Sequence, residues 1–521
     1  MLRTNRRIEL HQKLFIVALL LLSIGFPKKA EALPAFARKY ETSCNTCHVA
    51  FPKLNAFGEA YRIAGYQIPE GDERFIKQEP VSLGSEAWKR VWPEAIWPAA
   101  IAPSVPLAVR VTGAWVDDLR QGKNSMGENQ DPLNDFRFPT ALNLYGAGTL
   151  SEDMSLYVAD HLYLNGANGE LGKTFVQFSN LLDNIVPRQL FNLRTGLFVP
   201  ASMAFDHHRN IMFSTPMMVT ANTVTGTSFG AGHVHLGGHS GMDMHGSEPT
   251  YSGAFAMGQT QIGAELFGLV GSRMEYTLGV VNGAGNSSTT AARGTSDNNN
   301  SKDVYVRFRK KFGGMGFDGA IEKPNTPLSE QNDKPVLRDQ QAWVDNSIVV
   351  GGFYYSGSHR MQADWNEEIT LYDSTGNPIL TGPNTFATLD EAHTENYTNK
   401  VWRSGADIDI NQGNFDLIAA GVIGEDSNPL NKSRSITISM GMAQLDWVSP
   451  WPWVILSERL EEVRFDSDLV DEPADTRGSV SGITMQLRSN VKAQIEYQMD
   501  LDRAKDKIHN DMVVGVIDVA F

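Results

Sequence analysis

A long region with strand periodicity is the feature that most constrains what this chain can fold into. From 491 to 500, apolar side chains alternate with polar ones without interruption, and the same period of two recurs at 304–309, 407–410 and 483–488. Such a period predicts β-strands that have one apolar and one polar face. Runs of about ten residues match the length of a tilted strand that crosses a bilayer.

The candidate strands are numerous enough for a large barrel. They begin near residues 105, 138, 155, 173, 190, 259, 272, 302, 315, 347, 400, 414, 434, 452, 477, 491 and 511. Single-chain bacterial barrels have even strand numbers. At least one of these seventeen candidates is therefore wrong, and sixteen is the preferred count.

Two further features favour a membrane barrel over a soluble sandwich, whose polar face would lie in water. Aromatic residues gather near strand ends, as an interfacial girdle requires. They are Trp402, Trp447, Trp451, Trp453, Tyr354 and Tyr355. The chain also ends on an alternating strand at 513–521 that closes on Phe521, and this ending is similar to the C-terminal signal of bacterial outer-membrane proteins. We therefore predict a mainly β fold, an antiparallel outer-membrane β-barrel of about sixteen strands.

The N-terminus has the pattern of a secretory signal peptide over residues 1–32. Basic residues precede an apolar run at 14–26, and Ala30-Glu31-Ala32 provides a small-x-small cleavage pattern. A membrane anchor is the alternative, but this run is short for a span of about twenty residues. The chain carries 60 acidic and 45 basic residues, a net charge of −15. This acidic balance argues against a nucleic-acid partner, which would need a basic footprint.

The motif that carries chemistry is Ser43-Cys44-Asn45-Thr46-Cys47-His48, which holds both cysteines of the chain. C-x-x-C-H is the attachment pattern of c-type haem, in which two thiols bind the haem and the adjoining histidine becomes the proximal iron ligand. A redox pair would need a thioredoxin pattern, a zinc site would need further cysteines, and a disulfide would close a strained loop. The motif therefore predicts one covalent haem c on Cys44 and Cys47, with His48 on the iron.

Helical spacing follows the motif and predicts a helix over Lys53–Tyr66 that ends at Gly65. Its apolar residues are Leu54, Phe57, Tyr61 and Ala64. This helix could cover a haem face or any other apolar surface. Between 33 and 125 there is no methionine, and His48 is the only histidine. The iron is then five-coordinate, uses an unusual local ligand, or takes its second axial ligand from elsewhere in the chain.

A histidine-rich segment supplies candidates for such a distant ligand. Six of the twelve histidines lie within 207–245, together with six methionines between 203 and 244. The histidines are His207, His208, His233, His235, His239 and His245. Imidazole and thioether groups suit copper, or haem iron as a distal ligand. A ligand role is expected if this segment folds into the lumen, and an ordinary loop without a metal is the alternative.

Four stretches together point to a known family: PAFARKY at 34–40, CNTCH at 44–48, FPKLNAFG at 51–58, and a long β region that ends at Phe521. In these the chain resembles the monohaem cytochrome–porin fusion proteins of the outer membrane, known from iron-oxidising bacteria. The resemblance implies a small α-helical haem c domain that plugs a barrel of about sixteen strands. It also implies that Cys44 and Cys47 bind the haem and that His48 is the proximal ligand.

These patterns divide the chain into a signal peptide (1–32), a monohaem cytochrome c domain (33–80), a connector (81–105) and a porin-like β-barrel (106–521). We expect the haem domain in the barrel lumen or at its periplasmic side, with outer-membrane lipid around the barrel. The predicted function is electron transfer across the outer membrane. Fe(II) or another extracellular redox partner would be the donor, and a periplasmic c-type cytochrome or other electron carrier the acceptor. The sequence leaves open whether this is only an electron-transfer cytochrome or an Fe(II)-oxidising oxidoreductase.

Other functions remain open at this point. They are a diffusion porin with a haem plug, catalysis at an open iron position, and outward electron transfer to extracellular acceptors. Acidic strand positions, Asp407 with Asp409 and Glu496 with Asp500, would attract a cationic donor such as Fe(II) or would simply form a polar interior. A haem near the outer mouth would be well placed to accept an electron from outside.

Overall fold

The fold is known from a computed structural model that describes most of the chain after the predicted signal peptide. The described residues are 35–69, 72, 81–82, 100–101, 107–119, 133–151, 153–164, 167–168, 171–201, 209–223, 228–229, 232–233, 250–252, 254–283, 299–319, 343–370, 380–382, 385–386, 388–466, 476–501 and 511–521. The predicted signal peptide, 1–32, lies outside these residues. No helix within them is long and apolar enough to cross a membrane.

The N-terminal segment 35–69, called the plug below, consists of short elements. They are helix α1 (Ala35–Tyr40), a 3-10 turn (Cys44–Thr46), a hairpin of His48–Ala50 with Lys53–Leu54, and helix α2 (Ala56–Ile63). Helix α2 begins three residues later than predicted because the Asn55 side chain caps it by accepting from the Gly58 amide. It ends before Gly65, as predicted, where φ is +76°.

Sixteen antiparallel strands close into one barrel. They are β1 (Leu107–Asp118), β2 (Leu133–Ser151), β3 (Met154–Leu164), β4 (Leu171–Phe178), β5 (Asn192–Phe198), β6 (Gln261–Val270), β7 (Met274–Val281), β8 (Asp303–Gly313), β9 (Ser347–Thr370), β10 (Thr388–Gln412), β11 (Phe415–Asp426), β12 (Ile436–Val448), β13 (Val454–Asp466), β14 (Thr476–Arg488), β15 (Val491–Asp500) and β16 (Met512–Ala520). Strand β16 pairs with β1, from Met512 opposite Asp118 to Ala520 opposite Arg110, so no edge remains.

Short strands accompany the barrel. Ala167–Asn168 and Thr250–Ser252 add to its sheet beside β3 and β9. Separate pairs are Val81–Ser82 with Ala100–Ile101, Ser228–Phe229 with Gly232–His233, and Leu380–Gly382 with Thr385–Phe386. A helix α3 (Met217–Thr220) lies within the long connection between β5 and β6.

The predicted count of sixteen strands is confirmed, and the candidate near 315 is the wrong one. Residues 314–319 form turns instead of a strand, and 320–342 lie outside the described residues. The glycines at this point, Gly313, Gly314 and Gly319, have φ of +71°, +60° and +82°. Three left-handed residues within seven positions end the pleated backbone that a strand needs.

The strands turn their polar faces inward and their apolar faces outward. In β8, Arg307 and Arg309 are 5% and 7% exposed, whereas Phe308 and Phe312 between and beyond them are 57% and 53% exposed. This is the reverse of a soluble sandwich and agrees with the predicted period of two. One aromatic assignment is corrected: Tyr355 faces the interior, where its hydroxyl donates to Asp303, so it is not part of an outer girdle.

The two ends of the barrel differ in the length of their connections. At the end that holds Phe521, five of seven connections are short: 152–153, 271–273, 413–414, 449–453 and 489–490. We call this the short-turn end. The opposite, long-loop end has longer connections, of which 199–260 is the longest. Two of its described parts, 209–223 and 254–260, are together called the inner loop below.

Candidate functional site

The C-x-x-C-H motif folds into a tight turn. The Ser43 hydroxyl accepts from the Asn45 amide at 3.4 Å, and the Cys47 amide donates to the Cys44 carbonyl at 3.2 Å. The two cysteines therefore stand one 3-10 turn apart, directly before His48. Both are free thiols, so the structure has no disulfide between them.

Asn55 ties this turn to helix α2. Its side-chain amide donates to the carbonyls of Asn45 at 3.2 Å and Thr46 at 3.0 Å, and its backbone amide donates to the Cys47 carbonyl at 2.9 Å. Gly58 lies against the same carbonyl, since a Cβ on Gly58 would be 2.0 Å from the Cys47 oxygen. The motif and the first turn of α2 are thus one packed unit.

His48 is oriented by a backbone carbonyl. Its Nδ1 lies 3.2 Å from the Pro52 carbonyl oxygen, an acceptor only, so Nδ1 carries the proton and the lone pair is on Nε2. This is the usual arrangement for a metal-binding imidazole, because the bond at one nitrogen fixes the ring and the tautomer for the other. The donor set and this orientation fit a covalently attached haem c.

Both thiols are buried in surroundings that raise their pKa, and a raised thiol pKa disfavours redox or zinc chemistry. Burial raises the pKa of Cys47 to about 12 and also raises the pKa of Cys44. Reactive and zinc-bound cysteines are instead thiolates near neutral pH. Within the described part of the chain, no group of three or more His, Cys, Asp or Glu residues could hold a metal ion. The raised pKa of both thiols is therefore unlike that of a reactive redox pair or of zinc-bound cysteines.

One side of the plug is bound to the barrel wall through Lys53. This lysine is 4% exposed, and its ammonium contacts the carboxylates of Asp416 in β11 and Asp446 in β12, the latter at 2.5 Å. Beside it, the guanidinium of Arg110 and the ammonium of Lys492 lie 5.7 and 5.3 Å from the Phe51 ring centre. The plug is therefore in contact with strands β1, β11, β12 and β15.

The other side of the plug is bound through Glu59. Its carboxylate accepts from Arg62 of its own helix at 2.9 Å and from Arg309 of β8 at 3.0 Å, and Arg209 of the inner loop lies 3.6 Å away. Burial alone would raise the pKa of Glu59, but the charges of Arg62 and Arg309 outweigh it and hold this pKa well below its usual range.

A row of aromatic rings continues from this side to the wall. Tyr40, Tyr61 and Tyr66 meet edge to face with ring centres 6.0 Å apart at each step. Tyr66 then stacks on Tyr157 of β3 at 4.5 Å, and Tyr157 on Phe175 of β4 at 5.2 Å. With contacts to strands around the whole barrel, the plug lies in the lumen.

The plug lies towards the short-turn end. The Cys44 thiol lies beside Ser489, which belongs to the turn 489–490, and Gln486 donates to the Val49 carbonyl. Asp416 follows the turn 413–414, and Asp446 shortly precedes the turn 449–453. The attachment motif is therefore near the mouth that these short turns surround.

The inner loop also lies in the lumen. The Phe213 and Ser214 amides donate to Glu496 of β15, and Thr223 donates to Asp426 of β11. A ligand role for the histidine-rich segment required the connection 199–260 to fold into the lumen. The inner loop, which is part of this connection, does so. His207, His208, His235, His239 and His245 lie outside the described residues, and of His233 only the backbone, in the strand Gly232–His233, is described.

Three of the four carboxylates expected to attract cations, those of Asp407, Asp409 and Glu496, already have protein partners. Asp407 accepts from Arg307 at 2.6 Å, Asp409 from Arg209 at 2.8 Å, and Glu496 from the inner loop. The backbone amide of Asp500 donates to Asp511 at 3.1 Å. These side chains hold the inner loop and the wall together. This agrees with the second of the two expectations for these positions, that they simply form a polar interior.

Three residues that matter here were given no individual role from the sequence: Lys53, Asn55 and Glu59. Asn55 could have been found, because an asparagine before a helical pattern is a typical N-cap. The roles of Lys53 and Glu59 depend on partners in distant strands, and no local pattern reveals these partners.

The chain is thus a closed sixteen-stranded barrel with a C-x-x-C-H plug in its lumen. No protein-family model matches it, and no curated protein matches it significantly. Among solved structures it is similar to OprB of Pseudomonas putida, with 11% identity, a TM-score of 0.43, and coverage of 80% of this chain and 94% of that chain. The outer membrane channel DcaP of Acinetobacter baumannii gives 7% identity and a TM-score of 0.42, with coverage of 80% and 97%. A loop-deletion mutant of OmpT of Vibrio cholerae gives 10% identity and a TM-score of 0.41, with coverage of 80% of this chain and 99% of that chain. The barrel assignment rests on this chain's own strand pairing.

Proposed function

We propose that this protein lies in the bacterial outer membrane and transfers electrons across it through one haem c attached to the plug. The barrel supports the location, because it is closed, apolar outside and polar inside. Short turns at one end and longer loops at the other are typical of such barrels, with the turns in the periplasm. In this orientation the plug faces the periplasmic mouth.

The observation that carries the proposal is the position of the C-x-x-C-H segment within the lumen, fixed by buried ion pairs at Lys53 and Glu59. The apolar wall of such a barrel insulates one side of the membrane from the other. A bound haem would supply a one-electron redox centre within that wall. Cys44 and Cys47 would hold it, and His48 would bind its iron through Nε2.

The remaining residues of the motif serve to position these groups. The Pro52 carbonyl keeps the His48 proton on Nδ1, and Asn55 holds the carbonyls of the turn. The packing of Gly58 on Cys47 keeps helix α2 against the motif. Fe(II) or another extracellular reductant would be the electron donor, and a periplasmic cytochrome the acceptor. The haem would then lie nearer the periplasmic mouth than the outer one, which is compatible with the expected placement in the lumen or at its periplasmic side and differs only from a position near the outer mouth.

The test uses purified full-length protein in detergent, without oxygen. Denaturing gels stained for covalent haem should show one haem per chain, and none in the Cys44→Ala/Cys47→Ala variant. Added Fe(II) should then reduce the haem within seconds, as seen in its α-band. His161→Gln is the matched control for His48→Gln, since His161 lies in β3 and bonds with Asn143. It should leave the spectrum unchanged, whereas His48→Gln should alter the iron coordination.

Two results would contradict the proposal in different ways. Absence of covalent haem in the wild type would remove the redox function altogether. Haem that is reduced by dithionite but not by Fe(II) would retain the conduit and exclude iron as the donor. Outward electron transfer would then become the preferred direction.

A diffusion porin is the second candidate function, and the closed barrel with its polar interior favours it. Single-channel conductance separates the two. A conduit whose lumen is filled by the plug and the inner loop should conduct ions poorly. Large, stable conductance steps in the wild type would favour the porin.

A further inference from the structure

Lys492 in strand β15 is a buried cation that lacks a carboxylate of its own. It faces the lumen and is 2% exposed. Among the described residues, the carboxylate that pairs with it is Asp518 of β16, and the two charged groups are 3.7 Å apart. This distance is too long for a hydrogen bond. An ammonium has three donors, and a buried charge needs both a counter-charge and hydrogen bonds.

Asp518 is occupied by a second cation. The guanidinium of Arg110 in β1 donates to it from Nε at 2.9 and 3.1 Å and from Nη2 at 2.6 Å. The Thr112 hydroxyl also donates to it, at 3.3 Å. The next carboxylate along β15, that of Glu496, accepts from amides of the inner loop. Arg110 and Lys492 thus share one carboxylate, and one positive charge is left uncompensated.

This uncompensated cation lies beside the haem attachment motif. The Lys492 ammonium is 5.3 Å from the ring centre of Phe51, three residues after His48. The Cys44 thiol lies beside Ser489, three residues before Lys492. Three residues of extended chain span about 10 Å at most. A group that is held at Cys44 and extends over that length can therefore reach the ammonium.

We propose that Lys492, with Arg110 beside it, binds a propionate carboxylate of the haem c attached to Cys44 and Cys47. This inference rests on the proposed function and adds the residues that orient the haem. Haem c carries its propionates on the edge opposite the two thioether bonds, so the anion lies across the width of the macrocycle from the cysteines. The ammonium donates to that carboxylate, whose charge balances the one that Asp518 leaves over. Lys492 is a positioning residue and not a ligand of the iron.

The experiment measures the haem midpoint potential of the full-length protein in detergent, by anaerobic redox titration between about pH 5 and pH 8. Lys492→Met removes the ammonium and leaves Asp518 paired with Arg110, so it creates no unpaired charge. Lys492→Arg keeps a cation at the same position. Lys311→Met is the matched control, because Lys311 is 6% exposed in β8 but has its own carboxylate, Asp345, at 2.6 Å.

We expect the reduction equilibrium in Lys492→Met to shift about tenfold towards ferric haem, which is a fall of about 59 mV in the midpoint potential. Loss of the cation destabilises the anionic propionate, so this potential should also become pH-dependent as the propionate takes up a proton on reduction. Lys492→Arg and Lys311→Met should keep the wild-type potential and its pH profile. If Lys492→Met does not fold, Lys492→Gln also removes the charge and should show the same shift.

Three results would overturn the inference. An unchanged potential in Lys492→Met with full haem content would show that no propionate lies at this ammonium. A fall that is independent of pH, or equal in Lys311→Met, would reflect the general charge of the lumen. Absence of covalent haem from the wild type would overturn the proposed function as well, so the two failures are distinguishable.

Discussion

Lys53 in the plug and Asp446 in strand β12 are 393 residues apart in the sequence, yet their charged groups are 2.5 Å apart and buried. Asp416 in strand β11 is a second carboxylate in contact with the same Lys53 ammonium. A buried ion pair of this kind adds little net stability to the folded protein. Removal of one partner, however, leaves the other as an uncompensated buried charge. The pair therefore makes the position of the plug sensitive to single substitutions.

Lys53→Met should weaken the docking of the plug by about 3–5 kcal/mol, the typical cost of breaking a buried ion pair from one side. Digestion with proteinase K should then cleave the plug while the barrel strands stay intact. The control is Lys39→Met, because Lys39 pairs at 2.7 Å with Asp72, near the plug, and is partly exposed. It should cost no more than about 1 kcal/mol. Equal protection of the plug in both variants would show that Lys53 does not anchor it.

The same site should be insensitive to moderately alkaline pH. Burial alone would lower the pKa of Lys53, but the carboxylates of Asp416 and Asp446 outweigh it and raise this pKa above its usual range. A cation whose pKa is raised by folding contributes its full stabilisation below the unfolded value of about 10.4. The contribution of Lys53 to the protection of the plug should thus be constant between about pH 7 and pH 10. The stabilisation that Lys53 contributes would be lost only as the pH rises through the pKa of Lys53 in the folded protein.

Glu59 should make the docking of the plug sensitive to acid. Its pKa is lowered in the folded protein, so its contribution is present above the unfolded value of about 4.3 and is lost as the pH falls through the folded pKa. Glu59→Gln should reduce protection of the plug from proteolysis at pH 7, since three arginines lose their shared carboxylate. The difference between variant and wild type should shrink below about pH 4. A pH-independent difference would mean that the side chain acts by packing and not by charge.

Gly58 should be required for haem attachment. An added Cβ would lie 2.0 Å from the Cys47 carbonyl, so Gly58→Ala must move helix α2 away from the motif or distort the turn. Such overpacking costs about 1–3 kcal/mol. Haem staining of the variant, normalised to the amount of barrel, should fall markedly. Gly421→Ala is the control, because nothing lies within 4 Å of its added Cβ. Full haem content in Gly58→Ala would contradict the packed unit of motif and helix.

Much of the barrel could be predicted from the sequence because the period of two reports directly which side chains face the lumen. The polar set at 492–498 is buried, as the alternation required. The period failed near 315, where Met315 and Phe317 alternate like strand residues. Phe317 is in fact buried from a turn and belongs to a cluster with Ile63 of the plug. An apolar residue that covers the plug looks the same in sequence as one that belongs to a strand.

The motif could be recognised from the sequence because Cys44, Cys47 and His48 are local in sequence, and its haem chemistry stays a prediction. The docking of the plug was not, because Lys53 and Glu59 look like ordinary charged residues of a short helical segment. Their partners lie in strands β8, β11 and β12 and in the inner loop. Only the closure of the barrel brings these strands together around the plug.

Arg209 should control how far the lumen is closed, because it joins the inner loop both to the wall, at Asp409, and to the plug, at Glu59. Arg209→Gln removes the charge that holds these three parts together and leaves Asp409 without its cation. We expect the inner loop to be less firmly held and the single-channel conductance in planar bilayers to rise by about twofold or more. Arg188→Gln is the matched control, since Arg188 is exposed in the connection 179–191 and its pairs with Asp153 and Asp183 lie outside the lumen contacts. The same increase in both variants would indicate general loosening of the barrel. An unchanged conductance in Arg209→Gln would show that the plug and the wall hold the inner loop without this arginine.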